Sequence, residues 1–127
     1  MHLVVDGMNV IGSRPDGWWR DRPGARRRLV AELAGLVAAG HEVTVVFDGR
    51  PGSDEEVAAE AVGVTARFAP GGPDAADHAI AALVAALPEP GDVTVVTSDG
   101  ALAAAVRRHG AQVEGVKAFR ARLDAGP

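Results

Sequence analysis

Three apolar stretches that each end in an aspartate followed by a glycine constrain this fold more than any other feature. The acids that close them are Asp6, Asp48 and Asp99, and the stretches cover residues 3–7, 43–49 and 93–100. Unbroken rather than alternating hydrophobicity is typical of strands that are buried on both faces of a parallel sheet. Because the carboxyl ends of parallel strands share one edge, where ligands bind, we expect the three carboxylates to gather there.

Helical patterns separate these strands and predict an α/β protein, a three-layer sandwich around a mainly parallel, Rossmann-like sheet of about five strands. At 127 residues the chain fits one domain, residues 1–127. The predicted strands cover residues 2–6, 42–48, 62–68, 92–97 and 111–115. The predicted helices run from Asp21, the expected N-cap, to Ala39, and over residues 54–61, 74–87, 100–109 and 117–124. Residues 10–21 are expected to form a loop.

Composition excludes several classes of protein. The sequence has no cysteine, so neither a disulfide nor a thiolate metal site is possible. No apolar run approaches the roughly 18 residues that a membrane span needs, and strand-like sequence at the very start leaves no room for a signal peptide. We therefore expect a cytoplasmic protein with no membrane partner. The net charge of −4 excludes a globally basic nucleic-acid binder, but not local basic patches.

Two further acids are expected to join the edge. Asp74 and Asp77 lie in the first turn of the helix that follows residues 70–73, the strongest break in the chain, and they project from one face. A cluster of bare carboxylates repels itself and takes up protons. A hard cation such as Mg²⁺ or Mn²⁺, which prefers oxygen ligands, relieves this repulsion. With a polyanionic substrate, the expected chemistry is metal-assisted phosphodiester hydrolysis.

Each acid also has an ordinary structural interpretation, since Asp-Gly after a strand is a common turn and Asp at a helix start is a common cap. Asp74 follows Pro73 directly, so it is either a cap or a further metal ligand. Asp48 is either a ligand or a residue that orients the loop carrying Asn9. A small-substrate, Mg²⁺-dependent phosphohydrolase on the same type of sheet is also open, although no Asp-x-Asp pair follows the first strand.

The acid-bearing segments resemble a known family. Asp6, Gly7, Asn9 and Ile11 fit the D-G-x-N-x-I signature of NYN domains, within the PIN-like nuclease superfamily. The family's further blocks are matched in order by residues 46–49, by Ala76 and Asp77 with Ile80 behind them, and by residues 96–99. The resemblance covers residues 3–115 and is strongest to the YacP-like branch. Met8 stands where the family usually has an aromatic residue.

The resemblance implies a metal-dependent RNA endonuclease with a PIN-like sheet, acting on single-stranded RNA. In that family Asp6, Asp77 and Asp99 would bind Mg²⁺ or Mn²⁺, while Asn9 and Asp48 would complete the site. An alternative of another class is an RNA- or ribosome-binding module whose site is weak or inactive. RNA is the expected partner in both cases, the ribosome is a second candidate, and the choice between monomer and homodimer stays open.

A basic, tryptophan-containing stretch lies just beyond the first acid. Residues 14–28 contain six arginines against two acids, and both tryptophans of the chain. Arginine with tryptophan forms a suitable platform for unpaired bases. The expected substrate contacts are Arg14, Trp18, Trp19, Arg20 and, from the Ser-Asp pair, Ser98. The alternative is that the arginines form a solvated helix face and that one tryptophan packs on the sheet. A second, weaker patch comprises Arg107, Arg108, Lys117, Arg120 and Arg122.

Overall fold

The computed structural model describes residues 1–126 as strands alternating with helices. The strands are β1 (His2–Asp6), β2 (Glu42–Asp48), β3 (Val64–Ala69), β4 (Val93–Val96) and β5 (Gln112–Glu114). The α-helices are α1 (Gly7–Ile11), α2 (Arg22–Ala38), α3 (Glu55–Ala61), α4 (Ala75–Ala86), α5 (Gly100–Arg108) and α6 (Val116–Ala125). Across residues 1–126, no helix is both long enough and apolar enough to cross a membrane.

The five strands form one sheet in the order β3-β2-β1-β4-β5, and every neighbouring pair is parallel. The predicted α/β class and parallel sheet are therefore confirmed. The central strand, β1, is flanked by β2 and β4, and its residues Leu3, Val4 and Val5 are fully buried. A strand with both faces covered needs apolar residues at every position, which explains the unbroken hydrophobic runs.

Helices cover both faces of the sheet, which makes the three predicted layers. Leu3 and Val5 point to one face, where α1, α2, α3 and α6 pack, and their core includes Leu29, Leu33 and Phe119. The intervening Val4 points to the other face, where α4 and α5 pack. Both cores are largely aliphatic, and they fix the helix N-termini that follow β1, β2 and β4 at one edge.

The segment after β1 differs from the predicted loop. The chain turns directly from Asp6 into α1, and a short 3-10 helix (Trp18–Arg20) follows before α2. Gly7 permits this because a Cβ at this position would overlap the Phe47 ring of β2. A side chain here would push α1 off the sheet. The predicted cap is confirmed, since Asp21 Oδ1 accepts a hydrogen bond from Gly24 N–H at 3.0 Å.

Candidate active site

The acids meet where the direction of the sheet reverses. The chain builds β1, β2 and β3 outward on one side of β1 and then returns to place β4 on the other side. The loops after β1 and β4 therefore run in opposite directions at this point and leave a crevice between them. Ligands of such sheets usually bind in this crevice. Asp6 ends β1 and Asp48 ends β2, while Asp99 follows β4.

Asp6 is the most buried of these acids, with 5% of its surface exposed. Burial raises its pKa from 3.8 to about 6, and the nearby charges of Asp77 and Asp48 add to the increase. Hydrogen bonds from the Thr97 side chain and from the Asn9 backbone lower the pKa and offset part of the effect. Asp6 therefore sits in an environment that penalises its own negative charge, as expected for a position that receives a cation.

Thr97 is a site residue that the sequence analysis missed. The residue is 1% exposed, and its hydroxyl donates to Asp6 Oδ2 at 2.9 Å and accepts from Asp99 N–H at 3.1 Å. One hydroxyl thus joins the acid at the end of β1 to the backbone of the acid after β4. The available signal was a threonine between an apolar run and a Ser-Asp pair, but threonine is also an ordinary strand residue.

Asn9 and Ser98 hold the loop after β4 in place. Asn9 Oδ1 accepts a hydrogen bond from Ser98 N–H at 2.7 Å. Ser98 Oγ in turn accepts from Val116 N–H at 2.9 Å, at the start of α6. These contacts give both side chains a structural role beside the acids. A direct contact of Asn9 or Ser98 with a substrate stays a prediction.

Asp77 and Asp99 approach Asp6 from two helices. Asp99 is the N-cap of α5, where its Oδ1 accepts from Leu102 N–H at 2.9 Å. Asp77 lies in the first turn of α4. Its pKa is raised by burial and then by the charges of Asp99, Asp74 and Asp48. Asp77 is therefore coupled electrostatically to Asp6 and to Asp99, and a shared metal site of these three acids stays a prediction.

Helix α4 is capped by Asp48 and not by Asp74, the acid that directly precedes the helix. Asp74 precedes α4 but makes no side-chain capping bond, and it is exposed. Asp48, reaching across from β2, caps this helix instead, since its Oδ1 accepts from Ala76 N–H at 3.2 Å. Asp48 therefore orients the helix that carries Asp77, and not the loop that carries Asn9.

The donor set fits a hard divalent cation. The carboxylates offer only oxygen atoms as ligands. Burial and the neighbouring negative charges raise the pKa of Asp6 and of Asp77, and a bound cation would lower both pKa values. In residues 1–126 no three acid or histidine side chains are arranged to hold a metal ion as they stand. Mg²⁺ keeps several waters and commonly uses only one or two carboxylates, so such a site does not require three converging ligands.

A groove of about 460 Å³ leads away from the acids. Met8, Trp18, Arg22 and Arg26 line it, together with Asp48, Gly49 and residues 71–73. Trp18 is half-buried and packs against the core, while Trp19 is 49% exposed. The expected packing of one tryptophan is therefore seen at Trp18, while base stacking by either tryptophan stays a prediction. Arg20 lies over the Trp19 ring, 5.9 Å from its centroid.

Ion pairs occupy part of the predicted basic patches. Arg14 pairs with Asp124 at the end of α6, and Arg26 pairs with Glu55 at 3.1 Å. In the second patch, Arg120 pairs with Glu32 and Arg122 with Glu114. The arginines that remain near the groove without such a pair in the described part of the chain include Arg20 and Arg22, which lie over the tryptophan rings.

The fold and the acid cluster define a parallel α/β protein with an anionic site at the switch point of its sheet. The chain belongs to the YacP-like NYN domain family, a PIN-like nuclease family, whose model matches residues 3–126. PIN-like nuclease domains generally use divalent metals. The resemblance seen in the motifs is thereby confirmed.

Two solved structures are similar to this chain. The crystal structure of Rae1 (YacP) from Bacillus subtilis has 25% sequence identity and a TM-score of 0.78, over 98% of this chain and 74% of that chain. A tryptophan-to-leucine mutant of the same protein has 26% identity and a TM-score of 0.77, over 98% and 75%. The comparison with curated proteins gave no match.

Proposed function

We propose that this protein is a metal-dependent endoribonuclease that hydrolyses phosphodiester bonds of single-stranded RNA at the cluster formed by Asp6, Asp77 and Asp99. The observation that carries the proposal is the electrostatic coupling of acids from separate elements at the switch point, in a chain of a nuclease family. Such a cluster is unfavourable unless a cation balances it, and a phosphodiester is a substrate for which that cation is useful.

In this proposal Mg²⁺ or Mn²⁺ would bind among Asp6, Asp77 and Asp99, directly through one or two of their carboxylates and through water to the rest, and the exposed Asp74 would be an additional ligand. A metal bound there would supply positive charge to the reacting phosphate and would lower the pKa of the attacking water. Water then adds to phosphorus, the bond to one sugar oxygen breaks, and that oxygen leaves with a proton. No covalent enzyme intermediate forms.

The remaining site residues position these acids. The Thr97 hydroxyl donates to Asp6 Oδ2, which fixes the orientation of the Asp6 carboxylate. Asp48 caps α4 and so fixes the turn that carries Asp77. Asn9 anchors the backbone of Ser98, next to Asp99. Preorganised ligands lower the cost of assembling the site when substrate binds.

The substrate contacts are proposed on the side of the groove. Trp18, Trp19 and Arg20 offer stacking surfaces and positive charge to unpaired nucleotides. Arg14 reaches RNA only if it leaves Asp124, with which it forms an exposed and therefore weak ion pair. Ser98 is exposed next to Asp99 and can donate its hydroxyl proton to a phosphate oxygen while accepting from α6.

The test is cleavage of labelled single-stranded RNA with Mn²⁺ by the wild type and by the double variant Asp6→Asn/Asp99→Asn. Both substitutions remove charge and keep the acceptor oxygens that Thr97 and α5 use. Asp92→Asn is the matched control, because Asp92 is an exposed acid that precedes β4, at the opposite end of the sheet.

Metal-dependent cleavage by the wild type and by Asp92→Asn, lost in the double variant, is the expected result. Tight RNA or ribosome binding by all three proteins with no cleavage would favour the binding module instead. Turnover of a small phosphate ester without any action on RNA would favour the phosphohydrolase.

A further inference from the structure

We propose that the groove beside Asp48 is a subsite for one unpaired nucleobase, adjacent to the phosphate that is cleaved. The term base groove is used below for this groove of about 460 Å³. Its volume lies within the roughly 300–1,000 Å³ of pockets that hold small organic ligands, so it suits one nucleotide. The position of the subsite next to the reacting phosphate rests on the proposed function, while base binding itself does not.

One part of the wall of the base groove consists of Trp18 and the Arg22 guanidinium. Trp18 packs against the hydrophobic core, which fixes its ring. The Arg22 guanidinium lies over this ring, 5.2 Å from the centroid. Arg22 is exposed, so the face of its guanidinium that is turned away from Trp18 is accessible. Bases stack on aromatic rings and on arginine planes alike, and an anchored platform loses little freedom when a base arrives.

Another part of the wall has no side chains to obstruct a flat ligand. Gly71 and Gly72 have φ values of +127° and +113°, and Gly49 has a φ of +95°. A Cβ built on Gly49 or on Gly72 meets no atom within 4 Å. At these positions the backbone borders open space, so a base can approach peptide groups closely.

The charges around the base groove do not single out a phosphate as its ligand, because the exposed cation of Arg22 is opposed by Asp48. Asp48 brings a negative charge to one end of the base groove, where it raises the pKa of both Asp6 and Asp77. The charge of Arg26 is balanced by Glu55, whose oxygens lie 3.1 and 3.2 Å from Arg26 Nε. A phosphate inside the base groove would face Asp48, whereas a base inside it leaves its own phosphate outside, beside the acids.

The two tryptophans therefore differ in what they contribute. Trp19 stands edge-on to Trp18, with an interplanar angle of 86°, and it does not line the base groove. Trp19 is a surface contact that any nucleotide of the strand can use. Trp18 lines one open groove, so its removal should affect the one nucleotide that lies there and leave the others unchanged.

The experiment scans a short single-stranded RNA with one abasic nucleotide at successive positions. The Asp6→Asn protein, without metal, gives the dissociation constant for each RNA, and the wild type with Mn²⁺ gives the cleavage rate. We expect one abasic position to weaken binding by about tenfold or more, the loss expected for one stacked base, with the others within about twofold. The same position should border the cleaved bond.

Variants assign the effect to the base groove. In Trp18→Ala and in Arg22→Ala, the intact RNA should bind as weakly as the abasic one, so the position-specific penalty disappears. Arg22→Ala keeps the result interpretable if Trp18→Ala fails to fold, since Arg22 is exposed. In Trp19→Ala the penalty should persist even if binding to every RNA weakens.

A flat abasic scan, or a penalty that survives in both Trp18→Ala and Arg22→Ala, would overturn the base subsite. A clear penalty in binding with no cleavage of any RNA would instead defeat the proposed nuclease activity and leave the subsite as an RNA-binding position. Cleavage with a penalty at a nucleotide distant from the cut would show that the base groove is not adjacent to the reacting phosphate.

Discussion

Replacing Asp6 by asparagine should stabilise the metal-free protein, and the gain should grow with pH. The folded protein holds the proton of Asp6 more tightly than the unfolded chain does, because burial raises the pKa of Asp6 from 3.8 to about 6. The stability that this proton contributes is fully present below pH 3.8 and is lost as the pH rises through about 6. Above that range the wild type bears a buried charge that Asp6→Asn lacks.

The magnitude follows from the difference between the two pKa values. That difference is about two pH units, and each is equivalent to about 1.4 kcal/mol, so the full effect is about 3 kcal/mol. Asparagine keeps an oxygen that can accept the Thr97 hydroxyl proton, so little else is lost. Urea unfolding in EDTA at pH values from 4 to 8 measures the difference in free energy of unfolding between the two proteins.

The difference should rise between pH 4 and 6 in favour of Asp6→Asn and level off above that. Asp92→Asn, a charge change at an exposed position, should differ from the wild type by an amount that is nearly constant over the same range. Mn²⁺ should reduce the difference in free energy of unfolding between the two proteins at pH 8. The metal should bind the folded wild type, and a ligand that binds only the folded state stabilises that state. A difference that is independent of pH, or that shrinks as pH rises, would refute the reasoning.

Four further predictions concern the free energy of unfolding. Thr97→Val should cost about 1–3 kcal/mol in urea unfolding because it leaves a buried carboxylate oxygen without its donor, whereas Thr97→Ser should stay close to the wild type. Arg26→Leu should cost about 3 kcal/mol because the Glu55 carboxylate keeps the Gly52 N–H but loses its cation, and adding Glu55→Leu should recover part of that loss in thermal unfolding. Gly7→Ala should lower the free energy of unfolding by about 1–3 kcal/mol, because the added methyl group overlaps the Phe47 ring. Gly35→Ala, with open space inside a helix, should gain about 0.5–1 kcal/mol in the same assay.

The sheet and its acid-bearing edge were predictable because they depend on regular patterns. Strands buried on both faces must be apolar throughout, so β1, β2 and β4 were visible as unbroken runs. Parallel pairing then fixed which ends of the strands share an edge, and that placed Asp6, Asp48 and Asp99 together. The long separation of these residues along the chain did not prevent the prediction, because the parallel topology determines which strand ends are neighbours.

The contacts within the site could not be predicted because they depend on side-chain positions across the sheet. Nothing in the run that precedes Asp99 distinguishes Thr97 as a bridge from a threonine that only favours a strand. Helix α1 was not predicted, and residues 10 and 11 were expected to begin a loop, because this helix depends on the Phe47 ring, 40 residues further on, lying under Gly7. The ion pair of Arg14, an expected substrate contact, was not visible because its partner Asp124 lies 110 residues away.

The position of β1 in the sheet has a consequence for biosynthesis. β1 is the first strand to leave the ribosome, yet both of its neighbours, β2 and β4, are made much later. The Asp6–Thr97 hydrogen bond closes a loop of 91 residues, so it forms only after most of the chain has been translated. Contacts of such long sequence separation form late and slowly in folding. A nascent chain therefore has no assembled acid cluster until β4 and the loop that follows it have been made.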